Sequence, residues 1–559
     1  MKNIKIFIKQ FYFEIFIIIF SFLIRLIGIT YGLPYSYYTD EYKVVNYALK
    51  FGSGDLNPHF FEYPSLYLYF MFFVYGINFV ILKILGVVES VSDYAVLYIK
   101  NPTIFYLLGR IFSVLFGTAV VIMIGIVVNK IFNRKVARIS MLLFSVIPSI
   151  ILSCKVVGIE MALIFVSLLY FYYVIKIYEE NKNFYYYIAG ILLGIATSLK
   201  YLPIMFVFLV PYVSWVKTKK LMTKNVFVFF LLVIAFFIIG TPFSVLDYKT
   251  FVKDIKALMV YTLDSEVPNF IFRMFSVVKH YLFINNQAAE KIPFLGILGY
   301  VGLITSFLEY IKKKETKLFL LFSCIIVNMI VVSRHYFPAK RFLFISFPYF
   351  VILSSWILVK IYEKNKTVFT LLLSLAFIPS FIETVILNYT FSQKDTRTAA
   401  LEWIEKNIPY GEKILIDRYP NSPPLKMTKS QLERLYKKAV ELNHYKKEYF
   451  YWQLKAHPAE NYGYEIYEVY HPLHEIGTIK HQVEEAQKVR ELVDVSVGVE
   501  ELKKLRIKYF VYNSYSAETT KEPQIKKFYQ EVEEKTKLIA EFKPKTKFHP
   551  GPIIKIYEL

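Results

Sequence analysis

Asp40 and Glu41 stand side by side in the stretch Ile29 to Tyr67, which reads ITYGLPYSYYTDEYKVVNYALKFGSGDLNPHFFEYPSLY and follows an apolar run. A carboxylate held close to a hydroxyl can take its proton, and burial tunes how readily it does so. If the two acids lie on a helix, their side chains point about 100° apart, so one can face a reaction centre while the other braces it. The plainer alternative is two solvated loop acids, a common surface feature. After them the pattern predicts an amphipathic helix ending near Phe51, a Gly/Ser/Asp/Asn-Pro turn, and then Glu62-Tyr63-Pro64.

A second group of charges is cationic and lies in or beside apolar runs, where charge is costly and needs a reason. These residues are Arg25, Arg110, Lys155, Lys200, Arg334, Lys340 and Arg341, with His335 beside the last group. Arg25 and Arg110 could snorkel to a membrane interface. Several cations converging near an acid pair fit an anionic lipid head group better, because Arg pairs phosphate oxygens in a forked geometry. Glu160, in SCKVVGIEMALIF, is an acid at a helix end whose simplest role is an ion pair with Lys155.

The elements that must position these residues are membrane helices. Of 559 residues, 56% are hydrophobic and 18% aromatic, and several apolar runs exceed the roughly 18 residues a membrane helix needs. The formal charge of +22 therefore reads as a topology signal, and no groove-reading motif supports nucleic-acid binding. Two cysteines without a CxxC pattern argue against disulfide and zinc frameworks. The basic N-terminus leads into a long apolar run without a small-residue cleavage site, so it reads as an uncleaved span.

In chain order the expected crossings are 11–28, 106–128, 139–152, 161–177, 186–199, 203–216, 226–241, 294–311, 318–332, 342–359 and 368–387. That makes about eleven, a number that keeps the basic loops on the side of the N-terminus. Leu66 to Val88 is apolar enough to cross, but the same charge argument lays it along the surface, where its tyrosines suit the interface. The long outer loop 242–293 alternates apolar and charged residues as an interfacial helix does. After Leu387 the hydrophobic pattern stops. TAALEWIEKNIPYGEKILIDRY reads helix, turn, strand; VGVEELKKLRIKYFVYNSY repeats it; PGPIIKIYEL is a closing strand. The expected architecture is an all-α polytopic membrane domain over 1–388, with juxtamembrane helices and a catalytic first outer loop 29–67, followed by a small α/β extracytoplasmic domain over 389–559.

The ordered set of an Arg ending the first span, Asp-Glu in the first outer loop, Tyr-Pro-Ser-Leu, GRIFSVLFGT, an acid in a small-residue loop, SLKY and RHYFPAKRFLFISFPY resembles the C-type polytopic glycosyltransferases. It is similar in particular to the protein O-mannosyltransferases and the lipid A aminoarabinose transferase, over about Phe11 to Tyr362. The resemblance implies an enzyme that takes a sugar from a polyprenyl-phosphate donor on the outer face and inverts the anomeric carbon. It makes Asp40 the base for the acceptor hydroxyl, with Glu41 shaping the site, and gives the donor phosphate to Arg110, with Arg341 and Lys200 as further candidates. Glu62, Glu160, His335 and Tyr336 are the implied substrate-binding residues. Glu62 and Pro64 match the family's Pro-Pro-Leu neighbourhood, with Ser65 in place of the second proline. Glu160 stands where relatives carry Asp.

The chemistry is sound on its own terms. A sugar phosphate already has a good leaving group, so the reaction needs a base, alignment and positive charge on the departing phosphate. Single displacement needs one catalytic carboxylate. No metal and no cofactor is expected. The partners are the lipid-linked donor, membrane lipids and a hydroxyl or phosphate acceptor on a protein, lipid or glycan. The implied location is the plasma membrane of a bacterium or archaeon, with site and trailing domain outside. The rival reading is a transporter of a lipid-linked or polar solute, which internal repeats and helices broken near the midplane would favour.

Overall fold

A computed structural model describes residues 2–38, 40–263, 269–284, 293–335, 339–417, 421–471, 487–546 and 548–559. In chain order the helices up to residue 391 are α1 Lys2–Leu26, α2 Glu41–Lys50, α3 Leu66–Ile84, α4 Val91–Lys100, α5 Thr103–Ile131 and α6 Arg134–Ser145. They continue with α7 Pro148–Ser153, α8 Glu160–Glu180, α9 Asn183–Leu199, α10 Leu209–Thr218, α11 Lys224–Gly240 and α12 Phe243–Leu246. The last six are α13 Tyr248–Leu263, α14 Phe270–Leu282, α15 Phe294–Lys313, α16 Thr316–Ser333, α17 Phe347–Lys364 and α18 Lys366–Phe391.

The chain is an integral membrane protein. Among the described residues six helices are long and apolar enough to cross a bilayer, namely α3, α5, α8, α15, α16 and the run that starts with α18. The other expected crossings are helical but shorter, broken or more charged. The run 139–152 breaks because Pro148 cannot continue α6: Ile147 is extended and α7 restarts on the proline. Pro203 likewise opens a 3₁₀ stretch, Leu202–Phe206, ahead of α10. The 242–293 loop is largely helical, as α12, α13 and α14.

Two compact units divide the chain: 1–29, 40–76 and 107–388 form one, and 30–39, 77–106 and 389–559 the other. The expected boundary near 388 is the start of the second unit's longest piece, but two earlier pieces of chain join it.

In the first unit, glycine lets helices approach closely. A Cβ on Gly190 or Gly194 of α9 would lie 2.8 Å from the Phe229 carbonyl oxygen or 2.7 Å from that of Val233, both on α11. This is the small-xxx-small spacing by which membrane helices pack without a hydrophobic drive. Gly299 and Gly302 of α15 meet Phe350 and Leu353 of α17 in the same way.

Ion pairs gather at one end of this bundle. Glu14 of α1 accepts from Arg134 at 2.5 Å and from Arg138 at 2.9 Å. Glu179 of α8 accepts from Lys130 and Lys317 at 2.8 and 2.9 Å, and Lys360 of α17 meets Glu309 of α15. The basic loops thus converge on the end where α1 begins.

The second unit holds a six-stranded sheet of β1 Lys413–Ile416, β2 Glu465–Val469, β3 Leu492–Val493, β4 Tyr509–Asn513, β5 Lys537–Phe542 and β6 Ile554–Glu558. Its order is β3-β2-β1-β4-β6-β5. The first four strands are parallel, and β6 runs antiparallel to β4 and β5. Alternation sorts the side chains into two cores. Leu415 and Phe510 join one face with Phe528, while Ile414, Ile416 and Val511 join the other with Ile404 of α19, Thr396–Asn407. The helix–strand–strand pattern read from the sequence corresponds to α19, β1, β4 and β6.

Candidate active site

The two acids have opposite environments. Asp40 immediately precedes α2 and Glu41 is its first residue, so helical geometry turns them apart. Glu41 points inward and is 1% exposed. The Arg110 guanidinium of α5 donates to both its oxygens, Nε to Oε1 at 2.7 Å and Nη2 to Oε2 at 2.9 Å. The backbone N–H of Val157 donates to the same Oε1 at 3.0 Å. Arg110, equally buried, also donates through Nη1 to the Ile29 carbonyl at 2.7 Å. This forked, charge-assisted pair pins the start of α2 to α5. Arg110, expected to hold a donor phosphate, thus faces Glu41 and the backbone, because an internal carboxylate already fills the fork.

Asp40 points outward. Its side chain is 48% exposed and pairs with Nη1 of Arg341, itself 45% exposed. Arg341 lies in the 3₁₀ turn Lys340–Leu343, which Lys340 fastens by donating to the Phe283 carbonyl at 2.8 Å. Burial pulls the Arg341 guanidinium pKa down, but the Asp40 carboxylate, with Tyr63 and Glu160 nearby, raises it overall. Burial first, then the Asp40 charge, pushes the Tyr63 hydroxyl well above its ordinary value, with Glu160 and Glu62 adding to it. Tyr63, named in the sequence reading only as part of a motif, therefore sits among these carboxylates.

Phe342 is the hub of the cationic side. The Lys200 ammonium lies 5.1 Å from its ring centre and the Arg341 guanidinium 5.5 Å, while the His335 ring is 4.8 Å away. Such cations are held by the ring's negative face. Lys200, at the C-terminus of α9, pairs with Glu160, at the N-terminus of α8, at 3.4 Å. The simple Glu160–Lys155 pair expected from sequence is therefore not the one formed. Lys155 instead turns inward and donates to the Ile27 carbonyl, where burial lowers its pKa to about 8. Arg25 is also inside the bundle, on the carbonyls of Ser21 and Ser145 at 2.8 and 3.3 Å. Tyr336 lies outside the described residues.

The rest of the first loop is stapled to the α12–α13 segment. Glu62 pairs with Lys43 at 3.3 Å. The Phe61 N–H donates to Asp254 at 2.8 Å, Tyr201 donates to the Phe61 carbonyl at 3.0 Å, and Asn57 donates to Asp247 at 2.9 Å. Nothing local in the sequence announces Asp247, Asp254, Tyr201 or Phe342, since each meets the loop from a distant helix. Together the half-exposed Asp40 and Arg341, with the more buried Lys200, Glu160, Tyr63 and Glu62, make a mixed-charge surface able to take a proton and to face an anion.

Residues 106–244 match the family described as dolichyl-phosphate-mannose-protein mannosyltransferase. That stretch contains Arg110, Lys155, Glu160 and Lys200. No curated protein matches the sequence. Among solved structures, ArnT from Cupriavidus metallidurans in the apo state is 10% identical, with 97% of each chain covered and a TM-score of 0.52. The same protein bound to undecaprenyl phosphate is 11% identical over 98% of each chain, with a TM-score of 0.50. The oligosaccharyltransferase AglB from Archaeoglobus fulgidus, in complex with an inhibitory peptide and a dolichol-phosphate, is 11% identical over 90% of this chain and 70% of that one, with a TM-score of 0.48. The family match over 106–244 and the ArnT-like fold bear out the resemblance to the C-type polytopic glycosyltransferases read from the sequence.

Proposed function

We propose that this chain is an inverting glycosyltransferase that moves a sugar from a polyprenyl-phosphate carrier to a hydroxyl or phosphate acceptor. The reaction would take place at the outer face of a bacterial or archaeal plasma membrane. The observation that carries the reading is the split fate of the acid pair: Glu41 is locked under α2 by Arg110, and Asp40 is left half-exposed against Arg341. The mannosyltransferase match and the undecaprenyl phosphate bound by ArnT support a lipid-linked donor.

In this reading Asp40 takes the proton from the acceptor hydroxyl as that oxygen attacks the anomeric carbon. The sugar–phosphate bond breaks on the opposite side, and the polyprenyl phosphate leaves with the electron pair. Arg341 and Lys200 stabilise the departing phosphate. When that anion arrives, Arg341 exchanges Asp40 for phosphate, which frees the carboxylate to act as a base. Glu160 then holds Lys200 in place. His335, Glu62 and Tyr63 line the sugar or acceptor side. A positioned base is worth about 10²–10⁴ in rate. Asp40→Asn should therefore slow single-turnover transfer from a panel of polyprenyl-phosphate sugars by about that factor, with protein abundance unchanged. Arg341→Ala should weaken donor binding by about 1.5–3 kcal/mol, the worth of a charged hydrogen bond. Transfer by Asp40→Asn at the wild-type rate, or solute flux without transfer, would end the reading.

A further inference from the structure

Glu62 and Tyr63 follow a residue whose backbone is gripped on both polar groups by side chains from distant helices. The Phe61 N–H donates to Oδ2 of Asp254 on α13 at 2.8 Å, and the Phe61 carbonyl accepts from the Tyr201 hydroxyl at 3.0 Å. Phe61 is fully buried, so both groups need protein partners in place of water. Its ring meets Phe251 of α13 edge to face at 5.5 Å, and Phe251 meets Tyr201 in the same way at 6.4 Å. Tyr201 directly follows Lys200, the partner of Glu160. The other side of the segment faces α2. Phe60 stacks on Tyr47 with ring centres 4.5 Å apart and meets Tyr63 at 5.8 Å, while Glu62 pairs with Lys43 at 3.3 Å. Lys43 and Tyr47 belong to the helix that Asp40 immediately precedes. Residues 60–63 are thus a strap between α2 on one side and α13 with the end of α9 on the other, all within the first unit.

We propose that Asp254 and Tyr201 are positioning residues: by fixing the Phe61 peptide groups they set where Glu62 and Tyr63 stand against Asp40. This rests on the reading of that surface as the transfer site. Two peptide units separate the Cα atoms of Phe61 and Tyr63, so these are no more than about 7 Å apart, and a shift of the first reaches the second. A misplacement of about 1 Å can cost about 10²-fold in rate. Neither Asp254 nor Tyr201 is assigned to proton transfer or phosphate binding. Both touch the strap through its backbone, so they control where the chain lies and leave the charges of the site as they are. For Asp254 that task needs an oxygen facing the N–H, which an amide supplies as well as a carboxylate does.

The test uses the full chain in lipid nanodiscs with 3-fluorotyrosine placed at Tyr63 and read by fluorine NMR. The control position is Tyr185 of α9, which donates to Glu180 at 2.8 Å. Asp254→Ala removes the acceptor of the Phe61 N–H, and Tyr201→Phe removes the donor to its carbonyl. Both should shift or broaden the signal at 63 and leave that at 185 unchanged, while Asp254→Asn keeps the wild-type signal at both. In transfer from the panel of polyprenyl-phosphate sugars, Asp254→Ala should lower kcat by about tenfold to a hundredfold, and Asp254→Asn by less than about threefold. Undecaprenyl monophosphate should bind every variant within about twofold of wild type, since the phosphate cations are untouched. An unchanged signal at 63 or a wild-type kcat in Asp254→Ala overturns the proposal. So do equal changes at 63 and 185, which mark a purely structural role, and an Asp254→Asn no better than Asp254→Ala, which marks a role for the charge. If Asp254→Ala does not fold, Tyr201→Phe decides alone. The fluorine signal needs no substrate, so its outcome is independent of the Asp40→Asn result on which glycosyl transfer rests.

Discussion

Glu41 and Asp40 differ by one carbon and one position, and their surroundings give them different work. Glu41 meets Arg110 out of water in forked geometry, and taking one partner from such a pair leaves an uncompensated buried charge, at about 3–5 kcal/mol. Glu41→Gln and Arg110→Met should each lower thermal stability in detergent strongly. The double replacement Glu41→Leu with Arg110→Met should recover much of the loss, because similar apolar volume often substitutes for a buried ion pair. Two single variants that melt like wild type would show that the pair is not needed. The sequence made the acid pair visible and the 100° argument separated its members, but it could not say which one turned inward. That depends on Arg110, 69 positions away, and on the Val157 N–H, neither of which local pattern links to residue 41. The same limit hid the true partner of Glu160, because the α8 and α9 ends meet only after both helices pack.

The helices themselves were legible wherever apolar runs were long, and so was the interruption between 199 and 203, whereas the break at Pro148 inside the expected crossing 139–152 was not. Their partners were not. The pairing of α9 with α11 rests on Gly190 and Gly194, whose spacing is visible in the sequence but whose counterpart is not. Gly194→Leu would force a side chain where a Cβ already lies 2.7 Å from the Val233 carbonyl oxygen and 2.8 Å from Phe236. Overpacking of this kind costs about 1–3 kcal/mol. Gly76→Ala is the matched control: nothing lies within 4 Å of a Cβ there, so it should be neutral or slightly stabilising. Melting curves of the two variants should separate clearly, and equal curves would mean that α9 and α11 do not pack so closely. The second helical surprise is the loop 242–293. Its helical spacing was readable, while its grip on Phe61 and Asn57 through Asp254 and Asp247 was not.

At the scale of the molecule, the basic loops gather where α1 begins and the acid pair lies at the other end of the same bundle. Positive residues favour the cytoplasmic side, and the odd number of crossings expected from the sequence predicts an external sheet-bearing unit. Lys437→Cys and Lys313→Cys are both on exposed positions, and the native thiols are buried. A membrane-impermeant maleimide on intact cells should label the first and spare the second. The reverse pattern would invert the topology and move the proposed site inside. The trailing α/β region was readable from its helix–strand alternation. The pieces 30–39 and 77–106 that join it were not, because their partners lie hundreds of residues onward.

That discontinuity also has a consequence in time. A chain made at about 5–20 residues per second exposes Tyr31 and Tyr37 long before Asp395 and Arg397 exist. With 107–388 still to be synthesised after residue 106, the delay is on the order of 15–60 s. Throughout it Tyr31 and Tyr37 lack their partners Asp395, Thr398 and Arg397. The sheet-bearing unit therefore closes last although its first piece, 30–39, is made early. A ribosome that stops near residue 388 has made every piece of the first unit and only the two early pieces, 30–39 and 77–106, of the second.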